Sequence, residues 1–145
     1  MRKCALLVTL ALAVVTLFAA TAAPASARYS YSPGYWMNHP EAWSSGGVWI
    51  VAPTGEDTDG CWYNRDDAIQ WMRTPPRGDK SITAFFIVTA ASLDVYNAWG
   101  GDRADAFAAA GDWVMDHPPG SGVTARSTDW KAIEPSITFL ASTFE

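Results

Sequence analysis

The chain has 145 residues, 49% of them apolar and 17% charged, with ten basic side chains against fifteen acidic ones. That length holds one modest domain and excludes an enzyme assembled from separate cofactor and substrate domains. A formal charge of -5 argues against nucleic acid as a partner, because holding its backbone requires Lys and Arg gathered to neutralise phosphates.

Met1-Arg2-Lys3 is a short positive start, followed from Ala5 to Ala23 by an uncharged apolar run and then by the small-x-small site Ala25-Ser26-Ala27. This is the pattern of a secretory signal peptide cut after Ala27. It divides the chain into a signal at 1–27, a flexible lead-in at 28–33 and a single secreted helical domain at 34–145. The competing reading is an uncleaved anchor, since the run nearly reaches the roughly 20 residues of a spanning helix. Its threonines and alanines and the exit site favour cleavage, after which no stable membrane insertion is expected. Cys4 leaves with the signal, so Cys61 cannot close an intramolecular disulfide and packing must stabilise the domain. Cys61 itself reads as a buried small hydrophobe. All eight tryptophans lie beyond residue 27. Each can bury on the order of 150–250 Å², so the rings either replace a disulfide framework or are displayed for a ligand.

In chain order, 28–33 is polar and turn-prone. Gly34–Trp43 is too short and broken for a long regular element, and Pro40 is placed to open a single helical turn containing Glu41 and Trp43. Val48–Val51 predicts a short strand, with Cys61–Tyr63 as its partner across the polar loop Pro53–Gly60. Such a ribbon needs helices behind it. Asn64 or Asp66 caps a helix to about Arg73, which Thr74-Pro75-Pro76-Arg77-Gly78 stops. Asp79 or Ser81 starts the longest helix, over 80–98, on the spacing of Ile82, Phe85, Phe86, Thr89, Leu93 and Tyr96, with glycines 100 and 101 behind it. Asp102 caps a third helix to about Met115, whose face of Ala106, Phe107, Ala110, Gly111 and Val114 is small enough to admit a close neighbour. A turn at 117–122 and a connector at 123–128 follow. The last helix begins near Asp129 on Trp130, Ile133, Ile137, Leu140 and Phe144, with a kink or break expected near Glu134 because Pro135 has no N–H. No internal repeat emerges. The sum is a mainly α domain of three or four helices with an irregular aromatic N-terminal layer and a short β-hairpin.

Gly34-Tyr35-Trp36-Met37-Asn38-His39-Pro40-Glu41-Ala42-Trp43 resembles the GYWKNHPEAW signature of an uncharacterised family of secreted and surface modules. Met72–Asp79 is similar to that family's LNTPPKGD segment, and Leu93-Asp94-Val95, with Asn97 and the two glycines, to its LNIANG stretch. The turn within 112–123 and the helix containing Trp130 extend the likeness over most of 34–144. Met37 stands where the signature has lysine, and the acidic loop 56–60 has no counterpart. The resemblance implies an extracellular module, sometimes joined to adhesive or anchoring segments, and implies no reaction, cofactor or catalytic residue.

Tyr35, Trp36, Asn38, His39, Glu41 and Trp43 concentrate rings and polar groups in one loop. His39 can exchange a proton near neutral pH with Glu41 orienting it. The structural alternative, that Asn38 and His39 bond backbone groups and lock the loop, takes precedence over ligand contact and over catalysis. Glu56, Asp57 and Asp59, with Asp66 and Asp67, offer calcium oxygen ligands, but the EF-hand spacing fails at Cys61, and a solvated acidic loop is the leading reading. Two histidines without an HExxH pattern or a second cysteine cannot assemble an ordinary zinc site. No cofactor is expected. Ser121 lacks the GxSxG elbow, and Asp94, Asp112 and Asp116 act as a glycosidase pair only if folding sets two of them across a groove. The expectation is a non-catalytic extracellular or envelope-associated structural or interaction module whose partner is an envelope protein or glycan. Glycan binding through exposed rings is the alternative, and a small hydrolase using His39 and a carboxylate is the more distant one.

Overall fold

The computed structural model describes residues 30–50, 60–94 and 101–144. Among them run α1 (Pro33–Asn38), a 3₁₀ turn (Pro40–Ala42), β1 (Gly47–Ile50), β2 (Cys61–Asn64), α2 (Arg65–Arg73), α3 (Lys80–Leu93), α4 (Asp102–Asp116) and α5 (Thr128–Ala141). The domain is mainly helical with one antiparallel hairpin, as its periodicity predicts.

Helix α3 is central because it is apolar on nearly every side. Ile82, Ala84, Phe85, Ile87, Val88, Ala90 and Ala91 are all buried, and a helix without a polar face must be surrounded. Helices α1, α2, α4 and α5 and strand β1 all pack against it. Helix α4 packs against both α3 and α5, and its predicted small face, Ala106, Phe107, Ala110, Gly111 and Val114, is buried.

The hairpin pairs Val48 with Tyr63, Trp49 with Trp62 and Ile50 with Cys61. Side chains alternate across a strand, so Val48, Ile50, Tyr63 and Cys61 share the inner face. Trp49 and Trp62 share the outer one with Gly47 and Asn64. Cys61 is a free thiol and only half-buried, where full burial was expected.

Helix starts follow local chemistry. Asn64 caps α2 by accepting from the Asp67 amide at 2.9 Å, and Asp79 caps α3 by accepting from the Ser81 amide at 2.9 Å. Ser127 caps α5 by accepting from the Trp130 amide at 3.2 Å, so that helix begins just before the expected Asp129.

Four expectations are corrected. Residues 30–33 are docked rather than a loose lead-in: Ser30 is buried and bridges Phe144, Tyr31 stacks on Tyr35, and Ser32 caps α1. Helix α3 ends at Leu93, where Asp94 turns out of it to meet Arg103 at 3.2 Å. The cap of α4 is Gly101, at φ 59°, and Asp102 is already helical. Of the kink or break expected near Glu134, the break does not occur: α5 runs continuously from Thr128 to Ala141 with Pro135 inside it. The missing N–H orphans the carbonyl of Lys131 one turn earlier; both residues are exposed, so water can satisfy it.

Candidate interaction site

The loop that carries the family-like signature folds into two short turns whose carbonyls are taken up by side chains. Asn38 donates to the Gly34 carbonyl at 2.9 Å, and the Trp43 indole N–H donates to the Trp36 carbonyl at 2.9 Å. From α2, Arg73 donates to the Met37 carbonyl and Arg65 to the Pro40 carbonyl, both at 3.3 Å. Trp36 and Trp43 are 7% and 6% exposed and belong to the core. A loop too short for regular hydrogen bonding is thus held by its own amide, its own indole and two guanidinium groups.

His39 lies on the outer side of this loop. Its Nδ1 is 2.8 Å from Glu41 Oε1, with the two side chains 47% and 72% exposed. A hydrogen bond from the backbone amide of Glu41, followed by the His39 contact, holds the Glu41 carboxyl below its usual range. The His39 ring stacks on Tyr35, which stacks on Tyr31, at centroid distances of 4.4 and 4.1 Å. The neighbouring groove of about 560 Å³ is lined by Pro40, Asp66, Ile69, Gln70, Arg73, Thr74 and Pro75, and His39 is not among them.

The same arrangement occurs at the end of α4. His117 closes that helix at φ -126° and ψ 70°, against -123° and 65° for His39. It stacks on Trp113 at 4.3 Å, and its amide donates to the Trp113 carbonyl at 2.9 Å. Its carboxylate neighbour is Asp129, at 3.9 Å. The sequences behind the two ends are Tyr35-Trp36-Met37-Asn38-His39-Pro40 and Trp113-Val114-Met115-Asp116-His117-Pro118. The two helix ends thus share a local six-residue pattern. Proline expels the preceding residue from helical geometry, and that residue's ring folds back onto the aromatic ring four positions earlier.

On the outer face of the hairpin, Trp49 and Trp62 are 53% and 44% exposed, with centroids 5.2 Å apart and planes tilted by 54°. A Cβ at Gly47 would lie 2.6 Å from Trp62 Cζ2 and 2.2 Å from the Tyr63 carbonyl oxygen, so only glycine leaves room for this packing. The pair is missing from the signature-based candidates. Its signal is the alternation Val48-Trp49-Ile50 opposite Cys61-Trp62-Tyr63, which puts both indoles on the face opposite the aliphatic residues.

A second unread feature joins the two proline-glycine segments. Asp79 Oδ1 accepts from the Ser81 hydroxyl at 2.7 Å, and Oδ2 accepts from the Gly122 amide at 2.9 Å. The buried Ser81 hydroxyl accepts from the amides of Gly120 and Ser121, both at 3.1 Å. Burial pushes the Asp79 carboxyl up, but hydrogen bonds from the Ser81 hydroxyl and the amides of Gly122, Ser81 and Val123 outweigh it and leave the group below its ordinary value.

The remaining candidates are not brought together. Glu56, Asp57 and Asp59 lie outside the described residues, while Asp66 and Asp67 form the first turn of α2. Asp94 is 3% exposed against Arg103, whereas Asp112 and Asp116 are exposed on α4. No described helix is long and apolar enough to cross a membrane. Comparison with family models, curated proteins and solved structures finds no match.

Proposed function

We propose that the chain is a non-catalytic module exported after loss of residues 1–27, akin to the GYWKNHPEAW family, which meets an envelope partner through the outer face of its hairpin. The observation that carries this reading is the division of the tryptophans. The indoles of the signature, Trp36 and Trp43, are committed to the core, whereas Trp49 and Trp62 stand adjacent and exposed. Adjacent exposed rings form the kind of apolar surface that marks an interaction site, and tryptophan is among the side chains enriched where binding energy concentrates. A glycan partner is the second reading, because two adjacent rings of this kind offer the apolar C–H face of a sugar a place to lie.

The test is co-sedimentation of the full secreted chain with purified cell walls from its source, untreated and protease-stripped. The wild type should pellet with untreated walls, and a Trp49→Ala/Trp62→Ala variant should bind at least about tenfold more weakly with its unfolding temperature maintained. Binding that survives protease treatment identifies a glycan, and binding that does not identifies a protein. Equal binding by the variant, or no binding by the wild type, overturns the proposal.

A further inference from the structure

The described arginines divide into two groups. Arg65 and Arg73 hold the signature loop, and Arg103 pairs with Asp94. Arg77 and Arg126 make no hydrogen bond or ion pair among the described residues, and these two line one groove of about 550 Å³ together with Gly78, Asp79, Gly122, Thr124 and Ala125. In a chain with an acidic excess, two guanidinium groups left without carboxylate partners in one concavity are an anion-binding constellation.

The floor between them suits a close approach. Gly78 and Gly122 both have positive φ, and a Cβ at either would meet nothing within 4 Å, so bare backbone faces the opening. Asp79 is the carboxylate in the lining, and its oxygens are already engaged by Ser81 and Gly122. Thr124 adds a hydroxyl donor. Arg77 itself is left-handed at φ 45°, unusual for a residue with a Cβ, in a turn closed by the Asp79 amide on the Pro76 carbonyl at 2.7 Å.

We propose that this groove binds a phosphate dianion, the two guanidinium forks sharing its charge and Thr124 donating to a remaining oxygen. Two cations match the double charge of a phosphomonoester, whereas a carboxylate needs only one. The site is separate from the hairpin face and stands or falls independently of it.

The test is titration of the isotope-labelled secreted chain with inorganic phosphate, followed by the amide resonances of Gly78, Gly122 and Thr124, with acetate as the singly charged control. Phosphate should shift these resonances to saturation, and acetate should not. Arg77→Gln and Arg126→Gln should each weaken binding by about tenfold, while Lys131→Gln, which removes a charge outside the groove, should leave it unchanged. The spectrum of each variant reports whether the fold is kept. Absence of saturation, acetate binding as tight as phosphate, or a loss in only one of the two arginine variants overturns the proposal.

Discussion

Trp43 shows how much one side chain of the signature loop contributes. Its ring belongs to the core and its N–H satisfies the Trp36 carbonyl, so truncation removes both packing and a hydrogen bond. Trp43→Ala should lower unfolding stability by about 3–5 kcal/mol, measured by denaturant titration. Trp43→Phe retains most of the ring but leaves the carbonyl unpaired, for a smaller loss of about 1–3 kcal/mol. His39→Ala should shift the unfolding temperature far less than Trp43→Ala, because His39 faces water and an exposed carboxylate. The importance of this loop was legible from its residue types, and so was a backbone-bonding role for Asn38. The different standing of His39 was not, since His39 and Trp43 flank the same turn and only the fold decides which of them points inward.

Helices and turns reveal a second kind of dependence, carried by Asp79, which both starts α3 and fixes the 120–123 turn. Its native carboxyl lies below the 3.8 of an unperturbed aspartate. The stability it contributes is therefore complete above that value and is lost as pH falls through the lower folded value. Asp79→Asn should unfold at lower temperature than wild type at pH 6, and the gap should close as the medium is acidified below about 3.8. A gap of constant size down to pH 2 would contradict the linkage. Pro135 makes the opposite prediction. It is exposed inside a continuous helix, where proline costs up to about 3 kcal/mol relative to alanine. Pro135→Ala should accordingly raise the unfolding temperature. Helix starts were legible because Asn64, Asp79 and Ser127 are capping side chains. The end of α3 was not, because the spacing of Leu93 and Tyr96 carries the apolar pattern onward, while the turn at Asp94 is taken with Arg103, nine residues away.

Across the whole molecule, the helical class and the hairpin were legible because periodicities of 3.6 and 2 are written directly in the apolar positions. Which tryptophans are enclosed was not, because it depends on how α3 gathers the other elements around itself. Trp36, Trp43 and Trp130 are buried and Trp71 and Trp113 half-buried, while Trp99 lies outside the described residues. Trp71 shows the constraint from the other direction: a Cβ at Gly120, itself at φ +93°, would lie 3.0 Å from its ring, so the turn after α4 must approach as bare backbone. The exposed Trp49 and Trp62 thus stand apart from an aromatic interior that the rest of the chain is shaped to enclose. Limited oxidation of the folded chain with N-bromosuccinimide, read by peptide mass spectrometry, examines this division ring by ring. Trp49 and Trp62 should be oxidised first, with Trp36, Trp43 and Trp130 protected until the protein unfolds; oxidation of Trp36 and Trp43 at the rate of the hairpin pair would contradict the account.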